Sequence, residues 1–305
     1  MFVKETSTID QAFRTCEEIA FRHYENFPVA SHFIPKGKRK YVAAIYAFAR
    51  TADDVADEEG LGDETRLAKF SELEQKLSDC LTGKAVDPVF VALGEAIARF
   101  RLPPEHFRDL LTAFRMDVKK KRYENWDELL TYCSFSANPI GRLILHLFGY
   151  GEDERRHASD AICTALQLTN FWQDLSIDVK RNRIYLPLED MTRFNCTVEG
   201  ILQQRSDENL RSLMLHEVEK TAMLFEEGRS LLNSIGRDLR FQLRLTWLGG
   251  MRILQKIRRC NYDVFHLRPT ISAWDKCFMI IQAIGRTGEK KVFKSLEADN
   301  IHPEL

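Results

Sequence analysis

Gln167-Leu168-Thr169-Asn170-Phe171-Trp172-Gln173-Asp174-Leu175-Ser176-Ile177-Asp178 lies near the middle of the 305-residue chain. Gln167, Asn170, Asp174 and Asp178 fall at i, i+3, i+7 and i+11, one polar stripe along an otherwise apolar helix. Phe171 and Trp172 lie beside it. A stripe that only met solvent would carry more Lys and Glu than amides and aromatics. The segment closes a predicted helix from about residue 152 to 178, and a loop follows over Arg181 to Pro187.

Outward from that helix the chain reads as helical nearly end to end. Thr8-x-x-Gln11 reads as a capping box opening a helix that Pro28 ends. A second helix spans about 38–57. Asp63 is placed to cap a third, with Leu67, Phe70, Leu73, Leu77 and Leu81 at helical spacing and Gly83 at its end. Pro88 and Pro103-Pro104 sit where first-turn prolines are tolerated. Asn125-x-x-Glu128 is another box, before an apolar stretch to Phe148. Leu210, Met214, Val218, Ala222, Phe225 and Leu232 form a long stripe, Phe241 to Arg259 another helix, and Trp274 to Ile284 the last amphipathic piece. No alternating strand run, repeat or linker-like segment appears. Gly 15 and Pro 9 are too few for an all-β chain of this length. The expectation is an all-α fold of about ten helices, one domain over 1–290 with a polar tail at 291–305.

Composition removes several function classes. Lys plus Arg is 44 against 45 Asp plus Glu, so the basic excess of a nucleic-acid binder is missing. The content of 44% hydrophobic and 29% charged residues is that of a globular protein. No apolar signal segment opens the chain. The run Ala43 to Ala49 is far short of the ~20 residues of a spanning helix. The seven cysteines are scattered without a CxxC, as reduced and mostly buried thiols are. Together these predict a cytoplasmic protein with at most peripheral membrane contact; oligomeric state is not legible.

A second acidic pair stands in Ala49-Arg50-Thr51-Ala52-Asp53-Asp54-Val55-Ala56-Asp57. Asp53 and Asp57 share a helix face ~6 Å apart along the axis. That face continues back through Ala49, Tyr46 and Val42, so the carboxylates are expected to point with the core-facing side chains. Unpaired buried charge costs several kcal/mol, so a positive partner is required. The plain alternative is a solvated acidic helix end. Two such helices facing each other across a cavity would form a carboxylate cage. Oxygen-only ligands suit Mg²⁺, which takes few carboxylates and completes its shell with water or phosphate. A diphosphate bridged by Mg²⁺ is the natural occupant.

The ordered set of motifs resembles the squalene and phytoene synthase family of trans-isoprenyl diphosphate synthases, over about residues 10–280. The matching segments are Ile45 to Arg50 leading into Asp53-x-x-x-Asp57, then Asp117 with Arg122-Tyr123, and Tyr132-Cys133. Gln167-x-x-Asn170 leading into Asp174-x-x-x-Asp178 follows, then Arg183-Ile184-Tyr185-Leu186-Pro187. Within the family the chain is most similar to the bacterial hydroxysqualene synthases, through Glu25 to Ser31, Ser136 to Leu143 and Asn170 to Asp174.

The resemblance implies helices around a deep apolar channel. It implies that Asp53, Asp57, Asp174 and Asp178, with Asn170 assisting, hold two or three Mg²⁺ ions. Arg50 would contact the diphosphate, with Asp117 also on the substrate side. Tyr46, Phe27, Tyr132, Phe171 and Tyr185 would line the region where a carbocation forms, and Gln167 would position a reacting group. Tyr262 and Arg268 are further candidates to reach the diphosphate end. The implied reaction converts presqualene diphosphate and water to hydroxysqualene and diphosphate, with no NAD(P)H.

Condensing relatives often carry Ser-x-Ser-Phe where this chain has Tyr24 to Phe27, and Arg where Gln173 stands. Their second motif commonly reads Asp-Val-Gly-Glu-Asp rather than Asp174-Leu-Ser-Ile-Asp178. These departures put the condensation half-reaction in doubt and leave ionisation intact. A condensing synthase and an inactive helical scaffold are the competing functions.

Four lesser features complete the reading. Pro139, if inside a helix, frees the carbonyl of Phe135 to hold a water; a packing kink is the plainer alternative. Glu154-x-x-His157 is a single ExxH in a charged stretch, where a di-iron site needs two. Lys119 to Arg122 is either a solvated helix end or a lipid-headgroup contact. Trp247 with Gly249-Gly250 reads as core packing.

Overall fold

The computed structural model describes residues 2–22, 33–58, 60–151 and 153–284, the side chains of 2–7 and 154 excepted. Phe27, with Tyr24, Asn26 and the Glu25 to Ser31 signature, lies outside the described residues, as does the 291–305 tail. Fourteen α-helices and two 3-10 turns are described and no strand is. No described helix is long and apolar enough to cross a membrane. The chain divides into two compact units. One comprises Met1–Lys121 and Leu130–Cys163, the other Arg122–Leu129 and Thr164–Leu305.

The first unit holds α1 (Phe2–Arg22), α2 (Lys36–Asp57), α3 (Asp63–Leu81), α4 (Pro88–Phe100) and α5 (Pro104–Lys119). It also holds most of α6 (Trp126–Ser136), all of α7 (Asn138–Phe148) and the start of α8 (Asp153–Asp178). α2 is its centre and packs on α1, α3, α4, α5 and α7. The buried small residues Ala43, Ala44, Ala47, Ala52 and Ala56 allow this close approach. Aromatic edges fill the remaining space. Tyr41 meets Phe13 and Phe100 at 5.1 and 4.7 Å, and Phe48 meets Phe90 and Phe107 at 5.8 and 5.3 Å, all edge-to-face.

Prolines and caps set several boundaries as predicted. Asp87 accepts the Val89 N–H at 3.0 Å ahead of Pro88, and Pro104 opens α5. Asn125 accepts the Glu128 N–H at 2.9 Å. The Glu128 carboxylate reaches one residue further back than a standard box, to the Glu124 N–H at 2.6 Å.

Other boundaries differ. α1 begins at Phe2, so Thr8 and Gln11 lie inside it and open nothing. Gly62 takes the N-cap of α3, and Asp63 is its first residue. The apolar stretch to Phe148 breaks at Ala137, which puts Pro139 in the first turn of α7. There its missing N–H costs nothing, and the premise of a carbonyl freed by a mid-helix proline does not hold.

The second unit contains the rest of α8, then α9 (Leu188–Arg193), α10 (Val198–Leu202), α11 (Glu208–Glu227), α12 (Leu231–Ser234), α13 (Arg237–Arg259) and α14 (Ala273–Ile284). α9, α10 and α12, with the break between α6 and α7, raise the described count from ten to fourteen; at 6, 5 and 4 residues the first three are too short to show a period. Inside the unit the Trp172 indole N–H donates to the Thr221 hydroxyl at 2.8 Å, and Thr221 donates to the Glu217 carbonyl at 2.7 Å. Trp247 donates to the Phe225 carbonyl at 2.8 Å and meets the Phe225 ring edge-on.

The packing reading holds for Gly250, where a Cβ would stand 2.3 Å from Phe225 Cζ, whereas one at Gly249 would meet only Met279 Cε at 3.4 Å. Gly250→Ala is expected to destabilise the protein by about 1–3 kcal/mol, the usual cost of overpacking. Chemical denaturation checks this; an unchanged midpoint contradicts the assignment.

Candidate active site

On α2 the buried row is Ala44, Ala47, Phe48, Ala52 and Ala56. Asp53 and Asp57 each follow a buried alanine, and one residue turns the helix by ~100°. Together with Tyr46, Ala49 and Arg50 they therefore border the core instead of entering it. This corrects the expectation that the carboxylates point with the core-facing side chains. The Asp53 side chain is 40% exposed, so the large burial cost does not arise. The positive partner is present nonetheless. The Arg50 guanidinium bridges Asp53 at 3.0 Å and Asp54 at 2.8 Å. One turn earlier, burial pushes the Tyr46 phenol above its ordinary value; Arg50 opposes this while Asp53 and Asp54 reinforce it. Tyr46 is thus a neutral hydroxyl beside a cation–carboxylate group.

Asp117 and Tyr132 come together in the same unit. The Tyr132 hydroxyl donates to Asp117 Oδ2 at 2.7 Å, and both residues are buried. Lys121 donates to the Asp117 carbonyl at 2.5 Å. Arg122, in the other unit, donates to Asn182. These two members of the basic run are therefore engaged within the protein.

In the second unit the α8 stripe is as the spacing predicts. Gln167, Asn170, Asp174 and Asp178 are half-buried, while Phe171, Trp172 and Leu175 are buried. Phe171 stacks on Tyr185 with centroids 3.7 Å apart and planes 6° apart, and Tyr123 lies 5.7 Å from Tyr185. Arg122 holds this segment by donating to the Asn182 carbonyl at 2.6 Å and to its side-chain oxygen at 2.7 Å. The Leu188 N–H donates to the Tyr123 carbonyl at 2.9 Å, and Glu189 accepts from the Trp126 N–H at 2.7 Å. Arg122-Tyr123 and Arg183 to Pro187, far apart in sequence, thus lie side by side. Arg268 also reaches the stripe, its Nε 2.6 Å from Asp174 Oδ1, and the Gln173 amide donates to the Pro269 carbonyl at 2.6 Å. Tyr262 sits in the left-handed turn after α13, with φ 59°.

The donor chemistry fits Mg²⁺. Each acidic pair offers carboxylate oxygens one helical turn apart. Among the described residues no group of three or more His, Cys, Asp or Glu converges. A cation on either pair therefore needs ligands from water or a phosphate, which is how Mg²⁺ is usually held. Thiol chemistry has no support here. Burial pushes Cys16 and Cys163 up to about 12, and Cys80 and Cys196 to about 11. The ExxH segment shows an Arg156–Asp153 ion pair at 2.6 Å.

Residues 21–275 match the squalene/phytoene synthase family. The protein belongs to that family. It is 41% identical to a hydroxysqualene synthase of Rhodopseudomonas palustris over 80% of this chain and 84% of the relative. It is 28% identical to a phytoene synthase of Arthrospira platensis over 93% and 96%. A crystal structure of a squalene synthase from Alicyclobacillus acidocaldarius superposes with a TM-score of 0.79 at 40% identity, covering 83% of this chain and 95% of that one. The chain is an isoprenoid synthase in fold and in class of enzyme.

One cluster had no signal in the sequence. Asp190 on α9 accepts from Lys220 at 2.7 Å and stands 3.4 Å from His216 Nε2; Lys220 is 3.6 Å from Glu217 and 3.7 Å from the Trp126 ring centroid. It fixes α9 directly after the Tyr185 segment. Glu217 is fully buried. Burial, with Asp190 adding and Lys220 opposing, pushes its carboxyl up to about 8 from an ordinary 4.5. The folded state therefore holds a proton that the unfolded state releases above pH 4.5. Its stabilisation is complete below that pH and is lost as pH rises through about 8. Glu217→Gln is expected to lose less Tm than the wild type between about pH 5 and about pH 8.5. Parallel losses in thermal scans contradict this.

Proposed function

We propose that the chain is a hydroxysqualene synthase, turning presqualene diphosphate and water into hydroxysqualene and diphosphate. The observation that carries this reading is Gln173. Condensing relatives often place an arginine there, beside the second aspartate motif. Here the residue is an uncharged amide engaged with the Pro269 carbonyl. A site that binds one diphosphate has no need of that cation. The greater identity to the hydroxysqualene synthase than to the phytoene synthase supports the same choice.

Asp53 and Asp57 on α2, and Asp174 and Asp178 with Asn170 on α8, are the residues that would hold Mg²⁺. When bound, the metal would neutralise the diphosphate and draw charge from the breaking C–O bond. Arg50 adds guanidinium donors, and Tyr46 a hydroxyl kept neutral by burial. The C–O bond breaks with its electron pair leaving on the diphosphate. The stacked Phe171–Tyr185 faces stabilise the cation through their π density. Tyr132 is held by Asp117 with its hydroxyl fixed in direction, and Gln167 presents an amide to the reacting chain. Phe27 belongs to this lining by resemblance. Water then forms the new C–O bond and releases a proton. No electrons are gained or lost, so no NAD(P)H takes part.

Purified protein with Mg²⁺ is expected to consume presqualene diphosphate and leave farnesyl diphosphate untouched. Asp53→Ala and Asp174→Ala are each expected to lower kcat on the order of 10²-fold or more. Product analysis decides: turnover of farnesyl diphosphate makes the enzyme a condensing synthase, and fully active aspartate variants remove the metal site.

A further inference from the structure

α14 buries Asp275 and Ala283 and leaves a row of large apolar side chains exposed. Asp275 is 4% exposed. It accepts from Arg252 at 2.7 Å, from Lys256 at 2.5 Å, and from the Ser272 N–H and hydroxyl at 2.8 and 2.7 Å. Burial alone would push this carboxyl up; the Lys256, Ser272 and Arg252 contacts hold it well below the usual carboxylate range. Asp275 therefore stays ionised and fixes the rotation of the helix. The exposed side of the helix carries Trp274, Phe278, Ile281 and Ile284, exposed by 86, 52, 68 and 71%. They fall at i, i+4, i+7 and i+10, one continuous stripe.

We propose that this face of α14 docks on the surface of an anionic lipid bilayer. Large apolar side chains along one helix face, with a tryptophan at one end, are what an interfacial helix buries among headgroups and acyl chains. Charge complementarity selects anionic lipid. The ten residues directly after the stripe in sequence, 285–294, carry Arg286, Lys290, Lys291 and Lys294 against Glu289, while the acids Glu297, Asp299 and Glu304 come later, so the basic excess is confined to the part next to the stripe. Each basic residue near such a surface adds attraction. A second copy of the chain is the weaker fit. A twelve-residue helix presents one face of roughly 18 by 10 Å. That is on the order of 200 Å², well under the about 800 Å² per partner of a stable interface.

The full chain, without substrate, is mixed with phosphatidylcholine vesicles and with vesicles containing phosphatidylglycerol. Binding is read by co-sedimentation and by tryptophan emission. Trp172 and Trp247 are buried and Trp126 lies under Lys220, so Trp274 dominates any shift. The anionic vesicles are expected to bind at least ~10-fold more tightly, with a blue shift, and raised salt weakens the binding. A Phe278→Ser, Ile281→Ser variant is expected to lose binding at least ~10-fold at unchanged Tm. Trp274→Phe keeps binding and loses the shift. The proposal is overturned by equal binding to neutral vesicles, by full binding of the double variant, or by no binding. A dimer that the double variant dissolves assigns the stripe to a second copy and also overturns it. Because no turnover is measured, these outcomes are independent of the reaction.

Discussion

The rotation of α8 about its own axis is the constraint on which the site depends. Phe171, Trp172 and Leu175 are buried, Trp172 is tied through its N–H to Thr221, and Phe171 is pressed flat on Tyr185. A turn of one residue would carry these rings into solvent and bring Asp174 inward. The first loses burial worth roughly 1.5–3 kcal/mol per large side chain, and the second adds the cost of a desolvated charge. Between those penalties only one rotation is available. It leaves Gln167, Asn170, Asp174 and Asp178 in a half-open row. α2 meets the same condition with smaller residues, its alanines buried and Asp53 and Asp57 at the border.

Much of this is legible in the sequence because helical period and carboxylate spacing both act within a dozen residues. The row from Gln167 to Asp178 and the prolines opening α4 and α5 stand where spacing puts them, as does the loop to Pro187, except that Arg181 ends a 3-10 turn and the loop begins at Asn182. The depth of the Asp53 pair is not legible in the same way, because Tyr46 and Ala49 read in sequence as a continuation of the face that Val42 buries, yet both are only half-buried. Only packing shows that the core row runs through Ala44, Ala47, Ala52 and Ala56. The break at Ala137 is hidden because α6 and α7 together read as one apolar stretch. Contacts between distant segments have no local signature. Lys220 with Asp190, and the two backbone runs joined at Tyr123 and Leu188, depend on the tertiary fold.

Arginine placement links fold to chemistry. Arg50 pairs with Asp53 and Asp54 from the same helix, and Arg268 with Asp174 from a segment beyond α13. Both sets are part-exposed, where an ion pair adds about 0–1 kcal/mol. Such pairs restrain like-charged carboxylates at little energetic cost and leave them open to exchange of partners. A deeply buried pair would resist that exchange.

The central claim is that these aspartate pairs bind diphosphate through Mg²⁺. Calorimetric titration of inorganic diphosphate into the protein, with and without Mg²⁺, tests it most directly, in the wild type and in Asp57→Asn and Asp178→Asn. The account predicts tight binding only with Mg²⁺, weakened at least ~10-fold in each variant. Equal binding without Mg²⁺, or variants that bind as the wild type does, would contradict it.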